Sequence, residues 1–385
     1  HAPGRVYQTN DTGRMTMKAV AAEHWEMIKR RFAAWWDNSC VERPMLRVVA
    51  RRDTPLGKLE DIPPPRDAAD IYLNVDRQLA IMRNNLKRYR YMAEAYPNMS
   101  LDLGAGSMAL YLGSEPVFAH DTVWFEKCLD DVQAFDGAYN PHNPWLMRHI
   151  AMFEQARAAS DGSFLLNIPD IVENIDILSA MLGPQDTCYA MMDDPDAVER
   201  AVGMIDEIYF SYYDRFRELV VTEDNINSFT AFNVLGEGKT AKVQCDFCAL
   251  MSPAQFRRFV VPSLTRQCAA LDHSVYHLDG PDAIKHLDAL MEIKELQALQ
   301  WTCGAGQPDS GSPRWYPIYD RAREAGKALH LSISEGAYNE WVRACDTLVN
   351  RYGADGLYFL LPVMSEAEAE RFIAYADAHW QKASC

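Results

Sequence analysis

From Phe164 to the end of the chain, short apolar runs alternate with helical patterns, and this rhythm constrains the fold more than any other feature of the sequence. The run at 164–168 precedes a helical pattern near 175–182. The run at 228–234 precedes a loop and a helix over 253–271. Further runs at 275–279, 299–303, 328–333 and 357–361 are interleaved with helices, and a helix over 366–380 closes the chain. Strands apolar at nearly every position need cover on both faces, which implies a parallel sheet clothed in helices. Seven or eight such strands fit an α/β fold of the (β/α)8 TIM barrel type better than an open sheet. No Gly-rich dinucleotide fingerprint or phosphate loop follows any strand, which argues against a Rossmann enzyme.

The first third reads as an N-terminal helical extension, with helices over 17–36 and 68–95, a first strand at 44–50 between them, and irregular or antiparallel structure over 99–144. The expected organisation is a flexible arm or expression-derived residues over 1–16 and a single domain over 17–385. With 54 acidic against 38 basic residues and a net charge of −16, the surface is unsuited to nucleic acid or anionic membrane. No run is long enough to span a membrane, and no signal peptide is visible. The nine cysteines are odd in number and scattered, unlike a disulfide framework, so a reducing cytoplasm is expected. Cys40, Cys128, Cys188, Cys268 and Cys345 read as small buried hydrophobes.

Groups able to do chemistry gather between 245 and 306: Cys245-Asp246-Phe247-Cys248, then Tyr276-His277-Leu278-Asp279-Gly280, then Trp301-Thr302-Cys303-Gly304. In a parallel barrel, strand ends of this kind meet at one mouth. His277 and Asp279 are two apart on a strand and share a face. Inside a barrel they need partners, either each other or a bound ligand. Cys245, His277 and Asp279 with water in a fourth position would give the mixed ligation and open site of catalytic zinc, with Cys303 as a further ligand candidate. Such an ion activates water or binds a thiol as thiolate. Cys245 and Cys248 could alternatively form a redox pair. Asp102 precedes Gly104 and Gly106, where backbone can approach a ligand closely or an Asp can cap a turn. Glu237, in a Gly-flanked loop, is a candidate acid or base or a solvated residue. Trp124, Tyr276 and Trp301 could wall an organic substrate or pack a core. Asp170 and Glu173 could face the mouth, although N-capping would also account for Asp170.

The segments 251–262, 276–280 and 300–306 resemble the uroporphyrinogen decarboxylase superfamily, which also holds zinc methyltransferases acting with corrinoid proteins. Met251-Ser252-Pro253-Ala254-Gln255-Phe256-Arg257-Arg258-Phe259-Val260-Val261-Pro262 is similar to the family's "ISPEMFREFVLP" helix. Weaker similarity runs back through Asp102 and Gly113 and forward over 357–370. The chain departs from both branches. It keeps Arg47, Arg51 and Arg52 but not the decarboxylases' "RQAGR" segment. It carries His277-Leu278-Asp279 where the methyltransferases have His-x-Cys, and the last strand lacks their further Cys. It reads as a divergent branch.

The resemblance implies a zinc-dependent methyltransferase that moves a methyl group between a small methylated substrate or thiol and a corrinoid carried by a partner protein, and a homodimer is common in the superfamily. Asp102, Glu237, His277 and Asp279 would be catalytic, Arg47, Trp124, Tyr276 and Trp301 would contact substrate, and Cys245, His277 and Asp279 would hold zinc. The alternative is a cofactor-free decarboxylase of a tetrapyrrole-like polycarboxylate, with Asp102 at the cavity centre and the arginines on carboxylates. A third is an inert ligand-binding barrel.

Overall fold

The computed structural model describes residues 14–39, 42–229 and 232–380. The arm expected over 1–16 therefore falls almost entirely outside the described residues, as does Cys40. Fourteen strands are distinguished: β1 Met45–Arg51, β2 Tyr89–Ala93, β3 Asn98–Met99, β4 Pro116–Phe118, β5 Val123–Phe125, β6 Leu165–Ile168, β7 Ile226–Phe229, β8 Val234–Glu237, β9 Thr240–Gln244, β10 His273–Asp279, β11 Ala298–Thr302, β12 Ala328–Ser332, β13 Leu357–Leu360 and β14 Met364–Ser365. The larger sheet runs β14-β1-β13-β12-β11-β10-β9, parallel throughout, with β2 antiparallel on β1. A second sheet runs β3-β6-β7-β8, parallel except for its last pair. The fold is thus mixed α/β on parallel sheets, as the alternating pattern requires.

The sheets meet at a seam between β7 and β9 that a side chain bridges. Asn227 Nδ2 donates to the carbonyl of Thr240 at 2.9 Å, and Thr240 N–H donates to Asn227 Oδ1 at 3.3 Å. The amide side chain takes the part of a peptide group, and the buried backbone of Thr240 is satisfied without a ladder. On the far side of β1, Glu94 is fully buried between two guanidinium groups, with Arg31 Nε at 2.6 Å and Arg43 Nη1 at 3.0 Å. It also accepts the Leu46 N–H at 2.7 Å, tying β1 to the chain leaving β2.

Several local expectations change. The helix expected over 68–95 breaks at Asn74, whose side chain caps a second helix, Val75–Arg88, by accepting Arg77 N–H at 3.0 Å. The chain then turns into β2. The helix expected over 253–271 divides at Val260, because Pro262 has no N–H to continue the ladder. Two helices that carried no expectation, Pro184–Asp193 and Pro195–Val220, lie between β6 and β7; the longer one buries Val198, Ile205, Tyr209, Tyr212 and Phe216 at helical spacing. The single strand expected at 228–234 is instead a hairpin: β8 turns back antiparallel along β7, and β9 then rises beside β10. Segment 99–144 does contain the antiparallel pair β4–β5. Among the cysteines, Cys268 and Cys345 are buried as expected, but Cys128 is exposed. No described helix is long and apolar enough to cross a membrane.

Candidate metal centre

β10 lies between β9 and β11 with His277 opposite Gln244 on one side and Gln300 on the other. Register carries this face onward, from Gln300 to His330 on β12 and from His330 to Tyr358 on β13. Because side chains alternate along a strand, Gln244, His277, Gln300, His330 and Tyr358 share one face of the sheet. Asp279 is two residues beyond His277 on that face. Asp246 follows β9 by two residues, in a 3-10 turn over Asp246–Leu250. One ligand atom each from Asp246, His277 and Asp279 lies within 4.8 Å of the others, and this is the group among the described residues able to share a metal ion.

His277 and Asp246 are held from behind. His277 Nδ1–H donates to Gln300 Oε1, which fixes the ring and leaves Nε2 as the atom with a free lone pair. Gln300 Nε2 in turn donates to Thr302 Oγ1 at 3.0 Å. Gln244 Nε2 donates to Asp246 Oδ2 at 2.9 Å and to Asp176 Oδ2 at 3.2 Å. Asp176 also accepts the backbone N–H groups of Asp246 at 2.8 Å and Phe247 at 2.9 Å, pinning the turn that presents Asp246. Burial, and then the charge of Asp246, push Asp176 up to about 6. Asp279 is raised by partial burial; His277 pulls it down and Asp246 pushes it up. Two carboxylates facing one another beside an oriented imidazole favour a cation between them.

Behind Gln244 lies a charged network. Lys242 Nζ donates to Asp170 Oδ2 at 2.7 Å and also to Gln244 Oε1. Burial opposes the Lys242 charge, but Asp170 and Glu173 outweigh it and its pKa is raised. Glu173 accepts Gln244 N–H at 2.7 Å, and burial pushes its carboxyl to about 8. Asp102 joins the edge of this network by accepting Asp170 N–H at 2.9 Å. A roof is supplied by Phe232, whose ring centroid is 5.2 Å from that of His277 and 5.5 Å from that of His330. His330 Nε2–H donates to the Phe232 carbonyl at 2.8 Å, and burial lowers its pKa to about 4. Arg47, half-buried on β1, forms no ion pair among the described residues and lies near Tyr91, Tyr96, His330 and Tyr358.

The other expected residues are distributed differently. Cys245 is one residue out of phase with Gln244 and Asp246. It is buried against Cys248 and near Tyr276, and burial raises its thiol well above the usual range. Asp246 takes its place beside His277. Tyr276 and Trp301 alternate with His277 and Gln300 and so occupy the opposite face, where Trp301 packs on Trp315 at 4.9 Å between ring centroids. Trp124 is exposed on the β4–β5 hairpin, directly opposite Val117. Glu237 ends the descending strand β8 and lines a cleft with Asp272 and His273, at the start of β10 rather than its end. Cys303 is half-buried beside Ser310, and burial raises its thiol.

The sequence assigns no role to Lys242, Gln244, Asp246 or His330, although Asp246 lies within the Cys245–Cys248 segment singled out there. Their signal is the recurrence of polar side chains at alternate positions of otherwise apolar strands, which becomes readable once β9 is placed.

Fold and site together define a parallel α/β protein with a one-histidine, two-carboxylate cluster at the carboxyl ends of adjacent strands. No protein-family profile matches the chain, and no curated protein matches it. Among solved structures, a methyltransferase from Methanosarcina mazei is similar over 91% of this chain and 98% of that one, with a TM-score of 0.54 and 14% identity. At that identity the likeness shows a shared fold.

Proposed function

We propose that this chain is a zinc-dependent methyltransferase on a (β/α)8 barrel, a divergent member of the uroporphyrinogen decarboxylase-like superfamily. It would move a methyl group between a small methylated substrate or thiol and a corrinoid held by a partner protein, in the cytoplasm. The observation that carries this is the Asp246–His277–Asp279 cluster at the strand ends, set in a fold shared with a methyltransferase. The donor set fits a divalent cation: one oriented imidazole nitrogen and two carboxylate oxygens, three protein ligands that leave a fourth tetrahedral position to an exogenous one. When bound, zinc supplies Lewis acidity, which lowers the pKa of a coordinated thiol or water.

The chain's own groups do the rest. Gln300 holds His277 in the tautomer that leaves Nε2 unprotonated. Asp176 and Gln244 hold Asp246 by its backbone and carboxylate. Phe232 covers the imidazole and keeps water from its face. Arg47 offers an unpaired guanidinium to an anionic substrate group, and Asp102 orients the Asp170–Lys242 pair at the edge of the site.

The test is metal analysis of the purified protein and of His277→Ala, Asp246→Asn and Cys245→Ala. Stoichiometric zinc lost in the first two and kept in the third is expected. Zinc content indifferent to His277→Ala and Asp246→Asn would reject the site. The unpaired Arg47 also favours a second reading, decarboxylation of a tetrapyrrole-like polycarboxylate without a cofactor. Chelator-insensitive loss of carboxyl groups from uroporphyrinogen would establish it in place of the first.

A further inference from the structure

Lys242 and Gln244 are two residues apart on β9 and share the face that carries His277. Lys242 is 2% exposed, and both carboxylate oxygens of Asp170 lie 2.7 Å from its Nζ. The same ammonium donates to Gln244 Oε1. Every other polar atom of Gln244 is committed as well. Its backbone N–H donates to Glu173 at 2.7 Å, and its carbonyl accepts Asn174 Nδ2 at 2.7 Å. Its Nε2 donates to Asp246 Oδ2 at 2.9 Å and to Asp176 Oδ2 at 3.2 Å. The buried amide of Gln244 is thus the single link between Lys242 and the candidate ligand Asp246.

An ammonium has donors only and an ionised carboxylate has acceptors only. Between them the Gln244 amide has one orientation that satisfies both ends, Oε1 to Lys242 and Nε2 to the two aspartates. Turned over, it would set its NH2 group against the ammonium and its oxygen against the carboxylates. Without Lys242, Oε1 would be buried with no donor, and the amide would be gripped at one end alone. Fold stability does not call for a lysine here, because a buried ion pair often stabilises no more than apolar side chains of the same volume. The ammonium also polarises the amide, which strengthens its N–H bonds to the carboxylates. We propose that Lys242 is a positioning residue of the metal site. Acting through Gln244, it holds the Asp246 carboxylate by one oxygen and leaves the other to ligate. This rests on the metal reading proposed above, and the experiment separates the two.

Zinc affinity of the full chain is measured by competition with a chromophoric chelator, alongside Lys242→Met, Gln244→Leu, the two combined, and His277→Ala. Lys242→Met and Gln244→Leu should each weaken zinc binding by about tenfold or more. The combined variant should match Gln244→Leu alone to within about twofold, because the lysine acts through the amide. In the metal-free protein, hydrogen exchange of the Gln244 side-chain NH2, followed by 15N NMR, should quicken about tenfold in Lys242→Met while the backbone amides of β9 keep their protection. Affinity lost in His277→Ala but kept in Lys242→Met would overturn this inference alone. So would losses that add in full in the combined variant, which would make the lysine's effect one of charge, or protection lost throughout β9, which would make it one of strand stability. Affinity indifferent to His277→Ala would instead overturn the metal reading, and this inference with it. Should Lys242→Met not fold, Lys242→Met with Asp170→Asn, which removes the carboxylate left without its ammonium, takes its place in every comparison.

Discussion

Acid should unfold this protein through identifiable histidines, and His149 allows the clearest test. It is fully buried; its Nε2–H donates to the Leu101 carbonyl at 2.6 Å, and its bare Nδ1 accepts the Tyr111 hydroxyl at 2.6 Å. That pairing suits the neutral ring. Burial depresses its pKa from 6.5 to about 4, a difference of roughly 2.5 units, or about 3 kcal/mol at about 1.36 kcal/mol per unit. Above pH 6.5 the ring is neutral in both folded and unfolded chains, and its contribution to stability is complete. As pH falls below 6.5 the unfolded chain takes up a proton that the folded chain refuses, so stability is lost until about pH 4, where both are protonated. His330 is depressed to the same value and doubles the slope.

The perturbation is His149→Gln, measured by urea unfolding at pH 7.5, 6.0 and 5.0 with tryptophan fluorescence. At pH 7.5 the variant should be less stable by about 1–3 kcal/mol, through its impaired hydrogen bonds. On acidification the two proteins should converge, because the variant's slope is shallower by about 1.4 kcal/mol per pH unit. A gap that stays constant from pH 7.5 to 5.0 would refute the assignment of a neutral buried ring.

Further outcomes follow from the same geometry. Glu94→Leu removes the buried carboxylate shared by Arg31 and Arg43, leaving them only their more exposed acidic partners Glu42 and Asp377, and should cost about 3–5 kcal/mol in urea unfolding; a loss under about 1 kcal/mol would show that those outer partners suffice. Gln300→Leu should weaken zinc binding by about 10–100-fold without abolishing it, measured by chelator competition, and undiminished affinity would remove Gln300 from any role in orienting His277. Glu237→Gln should leave metal content and turnover unchanged, since Glu237 sits at the other end of the sheet, and a large loss in kcat would contradict that placement. Trp301→Ala should lower stability by about 3–5 kcal/mol while KM is preserved, because Trp301 faces the helices; a raised KM at unchanged stability would place it at the substrate.

What could be read in advance depended on where the chain punctuates itself. β10 and β11 were legible because their apolar runs stop at Gly280 and Gly304, and the sharing of a face by His277 and Asp279 needs only the two-residue repeat. The same repeat shows that Tyr276 and Trp301 face away, a consequence that counting from His277 already contains. The β7–β8 reversal was not legible, because it turns without Gly or Pro: Asn233 adopts φ 52°, a left-handed conformation that Asn tolerates better than most residues. Missing that turn also hid β9. Without β9 nothing set the phase of Lys242, Gln244 and Asp246, and Cys245 looked like the ligand when its neighbour faces the histidine. The helices Pro184–Asp193 and Pro195–Val220 were overlooked although their caps are written in the sequence as Gly183-Pro184 and Asp194-Pro195.

The reversal at Asn233 has a consequence for how this protein can diversify. From β9 to β13 each strand is separated from the next by helices whose packing depends on the connection between them, but β7, β8 and β9 follow one another with no helix in between. Phe232 and Asn233 touch the site directly, through the Phe232 ring on His277 and through carbonyls that accept from His330 and Tyr358. Substitutions in this short connection can therefore reshape the ceiling over the imidazole while the helical shell stays in register. For anyone redirecting the chemistry of this scaffold, it is the place to begin randomising.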